Sequence, residues 1–464
     1  MKKILKISVL VTLTLAVLAA CVYDDACIPV VQNPQAVILN EFLNHVVASD
    51  YASATAMLTP ELQAAFVQTP LEVQMSGRRG AMQDFTVIES IELEGFYIAA
   101  ILSNTAKGTL VANFTVDANG HIASMQTLDF AFEPMMPPAG ATYTAEAIVI
   151  GAGGEWPLDG LLTIPHGASA QNPVPALILV HGSGANNMDS SLFENRPFFD
   201  IADDLSSNGI AVLRYNERAF AHGTRLSTTY GTRMTVWQEY IYDVMLAAEL
   251  LQADERISHV FVLGHSLGGI VAPRIAEYAG LDGVVIMASS PRPMHQISFD
   301  QNVQFFNDMV AAGLITQADA DASFAALEAY HEGIRAILAM PAYQIEDILL
   351  MGAIPALYEQ SIVESDPLAF MKRNPHIPVL VLHADRDFQT TTENDFQIFI
   401  DATAGVEAMN HVMLIYYKGL NHLMMTAYRQ YGPLVIDIME YAIPGRVATQ
   451  VTRDITDFIH YNSR

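Results

Sequence analysis

His259-Val260-Phe261-Val262-Leu263-Gly264-His265-Ser266-Leu267-Gly268-Gly269-Ile270-Val271-Ala272 is the stretch on which the reading of this chain turns. Its first five residues are mostly apolar and short enough for one buried strand, and the run from Leu267 to Glu277 reads as a helix. Between them stands Gly264-x-Ser266-x-Gly268, the pattern of a nucleophile elbow, whose required context is strand before and helix after. Side chains at the glycine positions would collide with the flanking strand and helix, so glycine is a steric necessity. The strained turn lifts the Ser266 hydroxyl above a sheet, within reach of a base. By composition, about 0.1 such pentapeptides arise by chance in a chain this long.

Outward from the elbow, strands and helices alternate from Ala145, which implies a mostly parallel sheet with helices on both faces. Predicted strands are Ala145–Ile150, Leu158–Ile164, Ala176–Val180, Ile210–Tyr215, Val260–Leu263, Val284–Ala288, Val379–Leu382 and Met413–Tyr417. Predicted helices are Phe198–Ser207, Val236–Ala253, Leu267–Tyr278 and Val451–Ile459. Helical sequence from about residue 292 to 376 is far longer than a crossover needs, and reads as a cap over the sheet's C-terminal edge or as a structural excursion away from it.

A serine needs a base to take its proton and an acid to orient that base. In a strand–elbow–helix fold of this kind the order along the chain is Ser, Asp or Glu, His. Ser266 is followed by Asp387, in the loop leaving strand Val379–Leu382, and by His422, in the loop leaving Met413–Tyr417. Both loops leave the C-terminal ends of strands, where catalytic groups gather. Asp385 shares the loop with Asp387 and is the alternative acid. His411 precedes its strand and so falls on the wrong edge; His265 points back from the turn. One oxyanion donor should be the backbone N–H of Leu267. Arg214–Gly223 reads as a salt-bridged loop, or as part of the wall of a pocket. Metal-ligand spacing is missing, so no metal is expected.

The formal net charge is -27, which argues against nucleic acid as a partner. Residues 1–20 read as a signal peptide, with Lys2, Lys3 and Lys6 before an apolar run too short to span a bilayer comfortably. Leu18-Ala19-Ala20-Cys21 resembles a bacterial lipobox, which implies a lipidated Cys21 and a protein anchored on the extracytoplasmic face of the membrane. Cys27 is then the other cysteine of two, leaving no internal disulfide. Residues 21–34 read as a tether. Residues 35–134 read as a small α+β domain: a helix from Ala36, another over Tyr51–Phe66, then strands Phe85–Ile91, Gly95–Leu102, Thr109–Val116 and one ending at Phe130. Residues 135–144 read as a linker, and residues 145–464 as the second domain.

Val180-His181-Gly182-Ser183-Gly184, Gly264–Gly268, Asp387 and His422 together resemble the α/β-hydrolase superfamily, in its carboxylesterase-like and serine-aminopeptidase-like branch. The first domain resembles the cystatin-like, nuclear-transport-factor-2-like domains. The resemblance implies an α/β-hydrolase fold with a helical cap, preceded by the α+β domain. It also implies that Val180–Gly184 is the oxyanion loop, with the N–H of Ser183 as second donor. It implies an esterase acting through Ser266, His422 and Asp387 on a small or medium acyl ester, with no cofactor. A peptidase or amidase of the same fold, or a non-catalytic envelope binding protein, are the alternatives.

Overall fold

The structure, a computed structural model, describes residues 33–65, 71, 75, 81–93, 96–105, 108–128, 134–192, 195–311, 315–350, 354–427, 440–441 and 443–464. The signal peptide, Cys21, Cys27 and nearly all of the tether lie outside the described residues, as do Phe66 and Phe130. Two compact units divide at Pro134.

In the first unit, Asn33 caps helix α1 (Pro34–Val47), its side chain accepting from the Gln35 N–H at 2.8 Å. Ala36, Leu39, Phe42, Leu43 and Val46 form its buried face; Val37, part of the apolar pattern, faces solvent instead. The second predicted helix is two, α2 (Tyr51–Ala56) and α3 (Pro60–Ala65). Pro60 has no N–H to extend α2 but suits the first turn of α3. Strands β1 (Met82–Leu93), β2 (Phe96–Thr105), β3 (Gly108–Val116) and β4 (Ile122–Leu128) form an antiparallel meander in sequence order. At the β3–β4 turn the Asp117 carboxylate accepts from the N–H groups of Asn119 and His121.

The second unit contains all eight predicted strands: β5 (Tyr143–Ile150), β6 (Leu158–Pro165), β7 (Val174–Val180), β8 (Ala211–Tyr215), β9 (Ile257–His265), β10 (Gly283–Met287), β13 (Val379–Ala384) and β14 (Val412–Tyr417). They form one sheet in the order β14-β13-β10-β9-β7-β8-β6-β5, with β11 (Leu349–Leu350) and β12 (Ile354–Pro355) a separate small hairpin. Only β6 runs against its neighbours; the other pairings are parallel. β9 therefore lies in the middle of the sheet, and the elbow at its end opens at the centre of the C-terminal edge.

The side-chain alternation explains why both faces are covered. Ile178, Val180, Val262, Ile286 and Val381 point into one core; Leu177, Leu179, Phe261, Leu263, Val285 and Leu380 point into the other. The first core is closed by α6 (Tyr242–Gln252), which follows a π-turn over Trp237–Ile241, and by α7 (Leu267–Ala279). The second is closed by α4 (Pro197–Ser207) and the C-terminal α13 (Thr449–Asn462).

Three expectations change. The stretch read as a linker is tied into this unit, since the Met135 N–H donates to Asp189 at 2.8 Å and its carbonyl accepts from Arg214 at 2.9 Å. Of Arg214–Gly223, expected as loop, the part from Arg218 onward is helical: it opens α5 (Arg218–Tyr230), which is kinked at His222. The excursion at 292–376 is only partly cap. Helices α8 (Met294–Ala311) and α9 (Gln317–Leu338) pair outside the sheet's two cores, apart from Met294 and Ile297 at the start of α8. By contrast Ile362 of α10 (Ala356–Val363) and Phe370 and Met371 of α11 (Pro367–Arg373) enter the main core. An amphipathic helix preceding a strand packs on the sheet whether or not a cap precedes it.

Candidate active site

Ser266 sits at φ 55°, ψ -121°, a strained conformation for a residue with a side chain. Three hydrogen bonds hold it there. Its N–H donates to Met287 O at 3.0 Å, and its carbonyl accepts from the Gly269 N–H at 2.9 Å and the Ser289 hydroxyl at 2.6 Å. Leu267 is the first residue of α7, where an N–H has no intrahelical acceptor. Gly182 packs directly beside the elbow: a Cβ there would lie 3.0 Å from Ser266 Cβ.

His422 Nδ1–H donates to Asp387 Oδ2 at 2.7 Å, which leaves Nε2 with a lone pair. Asp387 is buried and also accepts from the Thr390 hydroxyl and from the N–H groups of Gln389 and Thr390. Burial alone would raise this carboxyl; His422, then His383 and the Thr390 N–H, outweigh it and hold it below the ordinary aspartate range. Asp385 has a different task, accepting from the Gly419 N–H at 2.6 Å. Of the two candidate acids, Asp387 is the one joined to His422. His411 lies at the entry to β14, on the opposite edge.

The sequence reading gave His265 no role. His265 Nε2–H donates to the His422 carbonyl at 2.9 Å, tying the loop that carries His422 to the elbow itself. Burial, and the adjacent His422, push His265 down to about 3, so it is neutral at physiological pH. The unfolded imidazole takes a proton as pH falls through 6.5 while the folded one does not, so stability is lost from about pH 6.5 downward. In His265→Asn, which still offers a donor, this loss is absent. Between pH 7 and pH 5 the wild type should lose about 2 kcal/mol more than the variant in chemical denaturation. A constant gap between the two would show that His265 titrates normally.

The loop after β7 is built from buried contacts. His181 Nε2–H donates to Tyr215 O at 2.8 Å and its ring stacks on Phe198, so the side chain anchors the loop from below. Asn186 Nδ2 donates to the carbonyls of Gly182 and Gly184, and the Asn186 N–H donates to Glu217 at 2.9 Å. The Tyr240 hydroxyl donates to Gly182 O at 3.0 Å. Ser183 itself is exposed at the turn.

The Arg214–Gly223 cluster divides its charges. Arg214 pairs with Asp189 and Arg218 with Asp243, both buried. Glu217 is fully buried beneath the loop, and burial, then Glu239, raise it well above the usual carboxylate range. Burial, with Asp243 nearby, also pushes Glu239 up to about 7, against Tyr358 and Arg218. Glu217 lay within a segment singled out in the sequence; Tyr240 carried no sequence signal beyond a helical apolar pattern. Among the described residues, no group of three His, Cys, Asp or Glu side chains could hold a metal ion.

On the cap side, Arg292 pairs with Asp395 and Asp300, and Gln301 of α8 donates to Gln389 O in the loop that bears Asp387. α8 and Arg292 just before it thus reach the sheet's C-terminal edge.

A family model described as serine aminopeptidase, S33 matches residues 171–427. The esterase EstD of Thermotoga maritima is 31% identical over 421 residues, covering 89% of this chain and 92% of its own. Among solved structures, Est1E from Butyrivibrio proteoclasticus aligns over 68% of this chain and 98% of its own at 13% identity, with a TM-score of 0.39. A proline iminopeptidase from Mycobacterium smegmatis aligns over 68% and 99% at 18% identity, also with a TM-score of 0.39. The span of the family model takes in the elbow, the loop before it and both loops that carry Asp387 and His422. The chain is an α/β-hydrolase enzyme and belongs to the serine aminopeptidase S33 family.

Proposed function

We propose that the protein is a carboxylic ester hydrolase that works through Ser266, His422 and Asp387. The observation that carries this reading is the buried Asp387–His422 pair, fastened through His265 to the strained elbow. His422 Nε2 takes the proton as Ser266 Oγ attacks the acyl carbon. The tetrahedral oxyanion accepts from the N–H groups of Leu267 and Ser183, each worth about 3 kcal/mol of barrier. His422 then gives its proton to the leaving alcohol oxygen, and the acyl-enzyme forms. Water, losing a proton to His422, releases the acid and restores the serine.

Esterase activity in a relative that spans most of the chain favours an ester over an amide. Peptide hydrolysis is the second reading, favoured by the family's aminopeptidase description, and it uses the same groups but must protonate an amine. The test is fluorophosphonate labelling of the purified protein followed by turnover of p-nitrophenyl esters of increasing chain length and of aminoacyl-anilides. Labelling at Ser266 with ester turnover supports the esterase reading. Anilide cleavage without ester turnover moves the assignment to a peptidase, and a folded protein that takes no label is a binding protein.

The lipobox-like Leu18–Cys21 supports an anchor on the outer face of a bacterial membrane through a lipid on Cys21. Cys21→Ser should move the protein from the membrane fraction to the medium; continued detergent-dependent partition would overturn the anchor.

A further inference from the structure

The Gly182 carbonyl and the Ser183 N–H belong to one peptide group, and a planar trans peptide points them in opposite directions. Whatever fixes the carbonyl therefore fixes the aim of the N–H. Two donors converge on this carbonyl: the Tyr240 hydroxyl at 3.0 Å and Asn186 Nδ2 at 3.1 Å. Asn186 is itself held by a reciprocal pair, its N–H donating to Glu217 Oε2 at 2.9 Å while its carbonyl accepts from the Glu217 N–H at 3.0 Å. Tyr240 and Glu217 are both buried, the first at 1% and the second at 0% exposure, so neither exchanges these partners for solvent.

We propose that Tyr240, Asn186 and Glu217 form a clamp that aims the Ser183 N–H at the oxyanion, which makes Tyr240 and Glu217 positioning residues for catalysis. The proposal rests on the reading of Ser266 as nucleophile and of Val180–Gly184 as the oxyanion loop. Three observations carry it. The clamp grips the carbonyl on the reverse side of the peptide that carries the second oxyanion donor. Hydrogen bonds to a carbonyl also polarise its peptide, making the N–H a stronger donor. Finally, Gly182 leaves no slack: a Cβ there would meet Ser266 Cβ at 3.0 Å and His265 O at 3.3 Å, so the loop is pressed against the elbow and a tilt of the peptide has little room to be absorbed. Tyr240 reaches the loop from a π-turn, a local distortion that recurs at functional sites. Burial and the neighbouring Glu239 favour the neutral carboxyl of Glu217, so glutamine is its close mimic.

The test uses the whole protein and three variants: Tyr240→Phe, Glu217→Leu and Glu217→Gln. Steady-state hydrolysis of a p-nitrophenyl ester is measured beside inhibition by an alkyl trifluoromethyl ketone, whose serine hemiketal places an oxyanion in the hole. Tyr240→Phe should lower kcat about tenfold with KM changed less than twofold, and weaken the ketone by the same factor as kcat/KM. Glu217→Leu should do the same or more, and Glu217→Gln should recover to within about threefold of the wild type. A side chain that only supports the fold would lower the fraction of serine titrated by fluorophosphonate and leave kcat per labelled site unchanged. That result, or kcat falling with ketone affinity unchanged, overturns the clamp. A wild type that takes no label overturns the nucleophile reading and the clamp with it; a wild type that labels while Tyr240→Phe matches it in kcat overturns the clamp alone.

Discussion

Ser266→Ala is expected to lower kcat/KM on a p-nitrophenyl ester by about 10^4- to 10^6-fold, because the nucleophile, its base and its acid act as one unit. The fold should survive. The elbow is held by backbone hydrogen bonds to Met287 and Gly269 and by the Ser289 hydroxyl, none of which uses Ser266 Oγ. Alanine inherits the same positive φ that serine already endures. For the same reason His422→Ala should cost nearly as much as Ser266→Ala, and the double variant little more than either. Two effects that multiplied would mean independent contributions and no triad. Retained turnover in Ser266→Ala would remove the nucleophile assignment outright. The checks are kinetics with fluorophosphonate titration and a melting temperature within a few degrees of the wild type.

Gly264→Ala should have the other large effect, this time on the fold. A Cβ at Gly264 would lie 2.1 Å from Gly268 O, 2.2 Å from Gly268 C and 2.5 Å from Gly269 N. These are backbone atoms of the following helix turn, so no rotamer change relieves the overlap. Relief requires β9 and α7 to separate, which displaces Ser266 and the Leu267 N–H together. Gly268 is crowded from the other side, where a Cβ would meet His181 O at 2.4 Å and Val180 O at 2.5 Å. The elbow and the Val180–Gly184 loop are therefore packed backbone to backbone. A loss of more than about 3 kcal/mol in unfolding free energy is expected, with activity per folded molecule below detection. Gly333→Ala is the control. That glycine lies inside α9 with nothing within 4 Å of a new Cβ, so alanine should stabilise by roughly 0.5–1 kcal/mol through helix propensity alone. A wild-type-like Gly264→Ala would show that the elbow is looser than its backbone contacts require.

Legibility followed the range of the interaction. The inner strands β7, β8, β10 and β13 were readable because they are buried on both faces, which demands a short, continuous apolar run such as Val379–Leu382. The elbow was readable because its steric demand falls on residues adjacent in sequence. The loops bearing Asp387 and His422 followed from where their strands end. Less legible were α5, whose first residues, with Arg218 and His222 among them, looked like loop, and the short α10 and α11, which looked like part of the cap.

Local periodicity and turn sterics were enough to specify the fold class, the strands, the serine and the short list of partners for it. Long-range packing joins Asp387 and not Asp385 to His422, fastens the His422 loop to His265, and brings Glu217 and Tyr240 beneath the Val180–Gly184 loop. Each of those is a hydrogen bond between segments far apart in the chain. Its existence depends on how neighbouring strands and helices register to within about an ångström, a quantity set by the packing of the whole core and carried by no residue's immediate neighbours.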